Sequence, residues 1–382
     1  MNDLADLERA IAALLNEHPY ALSPNETHDA LLSVLQLEID YARSCSPNFN
    51  NYIRHWPSDT RCATTIASLP YLPVTALKAN PPLSLVPANE ITRSLTSSAT
   101  TGQQPSLVVL DAASSRRMTK GVAAIVGDFI GPARRPYMVI DTAEKLGRQS
   151  LLGARSAAIQ ALMPFATETF CCLRTDGEGA VHLELETLLS WAEKWRKTEI
   201  LVYGFTYMVW THFVQPLAQK GISLNIPNVH VLHSGGWKRL EHQAVAKEVF
   251  VGSVSSVFGC STERVIDYLG MVENVGVVYP DCEFGFKHVP AFAEVIVRDP
   301  LTLRPAPPGR AGLLQVCSAL PTSFPGFLLL TEDMAEIVGL DGCSCGRRGA
   351  YFRYLRRAPK AEVRGCGNVP TTREPEAREL YA

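Results

Sequence analysis

No stretch of this 382-residue chain stays apolar for the roughly 20 residues that a membrane-spanning helix needs. Charge of one sign is not in excess either. With 36 Lys and Arg against 38 Asp and Glu, the net charge of −2 leaves no footprint for nucleic acid or an anionic membrane surface. A basic-then-apolar leader is missing: the opening MNDLADLERAIAALL is acidic and amphipathic, so the expected location is cytoplasmic. Internal repeats and low-complexity tracts are missing too. Cysteine is present ten times but thinly spread and without an export signal, which argues against disulfides. Cys260, Cys282, Cys317, Cys343, Cys345 and Cys366 fall in the last third, where they point to metal or thiol chemistry.

What is present reads as a soluble globular protein, long enough for two or three units or one large α/β domain. Leu4, Leu7, Ala10, Ile11 and Leu14, then Leu31, Leu32, Leu35 and Leu37, recur at helical spacing ahead of the Pro-rich LPYLPVTALKANPP. A helical N-terminal region over 1–90 is expected. From 91 to 280, β-branched runs at 137–141, 199–203, 229–233 and 255–259 alternate with longer mixed segments, the pattern of an α/β sheet. Over 281–355, runs at 293–297, 312–316 and 327–331 flanked by Pro and Gly predict a β-rich subdomain. The polar remnant 356–382 is too short for a further domain.

Five places carry chemistry. Residues 96–106, TSSATTGQQPS, offer the hydroxyls of Thr96, Ser97, Ser98, Thr100 and Thr101 and turn at Gly102, with strand-like runs on both sides. Hydroxyls beside backbone N–H groups suit an anion, although a solvent turn has the same composition. No Gly-Lys-Ser/Thr follows, so it is not a Walker loop. The run 229–232 opens into His233-Ser234-Gly235-Gly236-Trp237 at a strand's C-terminal end, where open α/β sheets bind ligands and Trp237 can stack on a flat ring. An ordinary turn with a core Trp is the other reading. In Tyr268–Glu273, Tyr268 supplies a ring and Glu273 a hard oxygen for Mg²⁺, or else a solvated strand end. Thr331-Glu332-Asp333 closes an apolar strand with adjacent carboxylates, acceptors for a ribose diol or simply solvated acids. Cys282, His288, Cys343 and Cys345 make a Cys₃His set, the donors of a closed Zn²⁺ site, with buried unligated thiols as the alternative. The aromatic stretch 203–210 serves a pocket or the core.

In this order the pieces resemble the adenylate-forming enzyme superfamily. More narrowly, the chain resembles the acyl-protein synthetases of the bacterial luminescence fatty-acid reductase, with phenylacetate–CoA ligases as more distant cousins. LPYLPVTALK, FIGPARRPYMVID, HSGGWKRLE, YPDCEFGFKHVPAFAEVIVRDP, FPGFLLLTED, CSCGRRGAYF and RRAPKAEVRGCGN carry the resemblance across residues 68–368. It implies an α/β fold: the large domain of those enzymes, with central mixed sheets, a β-rich subdomain and a truncated C-terminal domain.

The resemblance also implies ATP-dependent conversion of a carboxylic acid to acyl-AMP, then transfer to a thiol. Residues 96–102 would hold phosphate, and Gly235, Gly236, Trp237, Tyr268, Gly270 and Met271 the adenine side. Asp333 would bind ribose, Glu273 Mg²⁺, and Arg357 would act at the hinge. Cys366 is the implied acyl carrier, and Arg357, Lys360 and Arg364 close to it in sequence favour its thiolate. The acceptor is the chain's own cysteine, a carrier or a reductase partner. Three departures stand out: Ala99 where the family loop has Gly, Arg356 where a Gly precedes the arginine, and only a stub after Arg357. They keep open an aryl- or alkyl-CoA ligase and a non-catalytic nucleotide- or acyl-binding subunit.

Overall fold

The computed structural model describes residues 3–57, 59–79, 81–97, 104–147, 150–237 and 244–358. Ser98, Ala99, Thr100, Thr101 and Gly102 of the hydroxyl-rich loop, and Cys366 near the end, lie outside the described residues.

Helices Asp3–Asn16, Pro24–Cys45 and Pro47–Arg54 open the chain. The second starts sharply because Ser23 and Glu26 satisfy each other's free backbone N–H groups and Pro24 needs none. Its stripe of Leu31, Val34, Leu35, Ile39 and Ala42 is buried.

A seven-stranded sheet follows, in the order Val278–Pro280, Val265–Gly270, Val229–Ser234, Ile200–Phe205, Arg135–Thr142, Ala166–Thr175, Val181–Leu183. The five inner strands are parallel and the two edges antiparallel. Runs such as Ile200–Phe205 are buried at every position, as strands covered on both faces must be. The run 255–259 is not one of these strands. It closes helix Lys247–Phe258, which ends on Gly259 at φ 74°, and the strand comes one element later at Val265–Gly270. Phe250, Val254, Val257 and Phe258 are buried at helical spacing, so a β-branched run there serves a helix face.

The remaining strands build a sheet in the order Lys287–His288, Tyr351–Arg357, Leu328–Gly339, Gly312–Ser318, Ala293–Arg298, with Leu72–Pro73 parallel to Leu328–Gly339. A small third sheet holds Leu107–Leu110, Arg93–Thr96 and Leu151–Gly153. One apolar core joins the N-terminal helices to these two sheets, and a second surrounds the parallel strands. The α/β architecture with mixed sheets is the expected one. Among the described residues no helix is long and apolar enough to cross a membrane.

Candidate active site

Arg135–Thr142 has Ala166–Thr175 on one side and Ile200–Phe205 on the other, so the strand order reverses there and the C-terminal ends of neighbouring parallel strands open a crevice. Beside it end Phe205, Ser234 and Gly270. The Ser234 and Tyr203 hydroxyls bond at 2.8 Å, and Gly235 follows at φ 78°. A Cβ on Gly235 would sit 2.8 Å from the Phe205 ring, so only glycine fits. Gly235 and Gly236 are exposed and Trp237 is half-buried, with its ring against Trp210 and Phe250. Tyr268 departs from the expected free ring: it is buried and lies face-on to Tyr203, 5.9 Å away, so one of its faces is used internally. Gly270 lies against that ring, and Met271 packs on the first core.

The hydroxyl-rich loop joins two antiparallel strands, as its flanks imply. Thr96 ends the first strand. Ser97 N–H donates to the Ser106 carbonyl at 3.1 Å and Ser106 N–H to Ser97 Oγ at 2.9 Å, closing the base of the loop.

Thr331, Glu332 and Asp333 do not end a strand: Leu328–Gly339 continues past them, because pairing with Tyr351–Arg357 carries on to Gly339. That pairing sets Asp333 opposite Arg357, with 3.7 Å between carboxylate and guanidinium, while Arg357 also reaches Glu332 at 3.5 Å. Burial pushes the Asp333 carboxyl above its ordinary range, Arg357 pulls it down, and the charges of Glu273 and Glu332 push it up again. Glu273, itself buried, is therefore close enough to act on Asp333. Glu273, Asp333 and Arg357, far apart in sequence, share one electrostatic neighbourhood.

Sequence reasoning missed a buried charge network below the strand ends. Lys287, 5% exposed, reaches Asp267 at 3.1 Å and Asp281 at 2.9 Å, and Asp281 also pairs with Lys247. Burial alone would lower the Lys287 pKa, but the two carboxylates raise it above the ordinary value. Asp267 pairs in register with His233, whose Nδ1 lies 3.7 Å from its carboxylate and 3.0 Å from Thr206 Oγ1. A second pair, Asp141 with Arg155, sits at the switch point and touches the Tyr207 hydroxyl. No local spacing announces these residues. Each is an isolated charge in its own segment.

The fold brings Cys282, His288, Cys343 and Cys345 together, with all four donor atoms within 4.8 Å of one another. Cys282 and Cys343 sulfurs are 4.0 Å apart, and Cys345 Sγ lies 3.2 Å from His288 Nε2. Tetrahedral ligation at a Zn–S length of about 2.3 Å sets sulfurs about 3.8 Å apart, so the spacing fits. Burial, then Arg347, holds the His288 pKa down to about 4, leaving the neutral imidazole that ligation requires. Two of these four residues have a network residue as their sequence neighbour: Asp281 precedes Cys282 and Lys287 precedes His288.

A family model described as LuxE, acyl-protein synthetase, matches residues 5–373. Over 140 residues the chain is 27% identical to the long-chain-fatty-acid–luciferin-component ligase of Vibrio harveyi, covering 36% of each chain. Over 110 residues it is 31% identical to the ligase of that name from Aliivibrio fischeri, covering 28% of this chain and 29% of the relative. The aligned stretches thus span about a third of the length of these curated relatives. Among solved structures it is similar to a 2-hydroxyisobutyryl-CoA ligase in complex with 2-HIB-AMP and CoA, with TM-score 0.68 and 18% identity over 89% of this chain and 70% of that one. The same ligase in its postadenylation state gives TM-score 0.67 at 18% identity, over 88% and 69%. At this identity the likeness concerns the fold, which is that of adenylate-forming enzymes.

Proposed function

The chain belongs to the LuxE acyl-protein synthetase family, and on that premise we propose that it activates a carboxylic acid with ATP and passes the acyl group to a thiol, its own Cys366 being the first candidate. A carboxylate oxygen attacks the α-phosphorus, the bond to the β-phosphate breaks, and pyrophosphate leaves with the electron pair. A thiolate then attacks the acyl carbon of acyl-AMP and AMP departs.

Beyond the family match, one observation supports this reading: Asp333 pairs with Arg357 across neighbouring strands, and the charge of Glu273 reaches Asp333. In this reading Asp333 accepts from a ribose diol, and Arg357 beside it balances phosphate charge. Gly235 and Gly236 expose backbone to the adenine side, and Thr96 and Ser97 lead into the phosphate loop. Glu273 supplies the hard oxygen that suits Mg²⁺, which when bound neutralises phosphate charge. Positioning and charge neutralisation carry most of such a displacement, so the rigid strand ends matter as much as any single group. Cys282, His288, Cys343 and Cys345 are proposed as a structural Zn²⁺ site, on donor type and spacing. Acid, ATP and thiol would all be handled in the cytoplasm.

The test is exchange of labelled pyrophosphate into ATP across a panel of carboxylic acids, then labelled acid with ATP followed by a denaturing gel. Exchange with at least one acid, and label on the protein that Cys366→Ser abolishes, are expected. Label found only on added coenzyme A would replace the acyl-protein reading with a CoA ligase. No exchange with any acid would leave a nucleotide- or acyl-binding subunit.

A further inference from the structure

The hydroxyl-rich loop offers oxygens and N–H groups but no cation: from Thr96 to Ser106 no Lys or Arg occurs. When a triphosphate gives up pyrophosphate, negative charge grows on the departing oxygens, and fixed positive groups are what stabilise it. Within the protein that charge has to come from another segment. The fold brings Arg155 to the foot of the loop. Strand Leu151–Gly153 runs parallel to Arg93–Thr96 with Gly153 in register with Thr96, and Arg155 comes two residues after Gly153. Its helix, Ala154–Ala161, packs against both Arg93–Thr96 and Ile200–Phe205, so it joins the small sheet that carries the loop to the parallel strands that form the crevice.

Arg155 is held in place from the buried side. The Asp141 carboxylate, 2% exposed, accepts from Nε–H at 2.8 Å and from an Nη2–H, and its Oδ1 also accepts the Thr142 N–H at 2.7 Å. The Tyr207 hydroxyl, two residues past the end of Ile200–Phe205, lies 3.4 Å from Nη1. These contacts engage three of the five guanidinium N–H groups. The other two, one on each terminal nitrogen, have no hydrogen-bond partner among the described residues, and the side chain is 28% exposed. There is room next to it. Gly153 is exposed, and a Cβ added there would meet no described atom within 4 Å. A buried acid that fixes a guanidinium in this way leaves its unused edge for a second anion.

We propose that Arg155 binds the β- and γ-phosphates of ATP and stabilises the departing pyrophosphate, with Asp141 and Tyr207 as the residues that position it. The inference rests on ATP-dependent activation at these strand ends. As the carboxylate oxygen bonds to the α-phosphorus, the bridging oxygen leaves with the electron pair on the β-phosphate, and Arg155 donates to the oxygens that gain the charge. No proton changes hands.

Titration calorimetry of the full-length chain with ATP and with AMP, no acid present, reads the contact directly. The variants are Arg155→Gln combined with Asp141→Asn, which avoids stranding a buried carboxylate, and Arg155→Lys. Circular dichroism checks that both fold. The double variant is expected to lose about tenfold or more in affinity for ATP, with AMP affected by less than about twofold. Arg155→Lys, which keeps the charge but not the fork, should show a smaller loss with the same selectivity, and it decides the question if the double variant does not fold. In pyrophosphate exchange the KM for pyrophosphate should rise while the KM for the acid holds. Equal losses for ATP and AMP would show that the pair only shapes the fold, and a rise confined to the KM for the acid would assign the cation to the carboxylate; either overturns the inference. So does wild-type affinity for ATP in both variants, or an unaltered chain that binds neither nucleotide. Selective loss of ATP affinity in a chain that supports exchange with no acid would leave the phosphate contact standing and remove acyl activation.

Discussion

Replacing Lys287 by Met removes the cation shared by Asp267 and Asp281 while keeping most of the side chain's volume. Breaking a buried pair by deleting one partner typically costs about 3–5 kcal/mol, because the other charge is left without compensation. Two facts place this case near the lower end: the Asp267 side chain is 31% exposed, and Asp281 keeps Lys247 as a second partner. A loss of about 3 kcal/mol follows, which for a chain of this length lowers the melting temperature by roughly 4 °C. Scanning calorimetry at pH 7 measures it. Asp267→Asn in the Lys287→Met background should recover part of the loss, because the carboxylate left without a Lys or Arg partner is gone. Function should respond as well. Asp267 is paired with His233 in the sheet and Lys287 precedes His288, so pyrophosphate exchange should fall alongside stability. A melting temperature within about 1 °C of wild type would refute the reasoning, since an interaction of this size cannot be lost silently.

Glu38 is 1% exposed and both its carboxylate oxygens lack hydrogen-bond partners among the described residues; burial raises its pKa well above the usual range despite the counteracting charge of Arg117. The unfolded chain gives up that proton first as pH rises, so Glu38 lowers stability progressively from its unfolded pKa up to its folded one. Glu38→Gln should therefore flatten the fall in melting temperature from pH 5 upward, and equal slopes in both proteins would contradict this. Metal analysis should find about one zinc per chain, fewer in Cys345→Ser, and chelation should remove about 4 kcal/mol if free zinc stands a thousandfold above its Kd, or roughly 5 °C. An unchanged melting temperature after complete chelation would count against a structural metal. Gly235→Ala strains a φ of 78° and drives a Cβ to 2.8 Å from Phe205. The KM for ATP should rise about tenfold or more as the backbone shifts by a fraction of an ångström; wild-type kinetics would show that this backbone does not contact the nucleotide.

Much of the site was legible because its pieces are chemically loud and local. A hydroxyl-rich loop between two strand runs, a Gly-Gly at a strand end and three thiols with one imidazole are visible to anyone counting residue types. What such counting cannot supply is distance. Tyr268 reads as a ring offered to a ligand, yet in the sheet it lies on Tyr203, 65 positions earlier. The run 255–259 has strand composition, but Phe250 and Val254 bury with it on one helix face, and that face exists only against the second core. Asp333 looks terminal until Tyr351–Arg357 pairs beside it and carries the strand on to Gly339.

The sequence by itself determined the α/β alternation, the order of the candidate site segments, the set of three thiols and one imidazole that the fold gathers, and the absence of any long apolar span. These follow from side-chain chemistry and short-range periodicity, which are written along the chain. Tertiary structure alone decided that Lys287 lies between Asp267 and Asp281, that Glu273, Asp333 and Arg357 share a field, and that His233 has one nitrogen satisfied and the other not. Burial and charge pairing arise between segments tens of residues apart. Only the packing of sheet against helix fixes which of them meet.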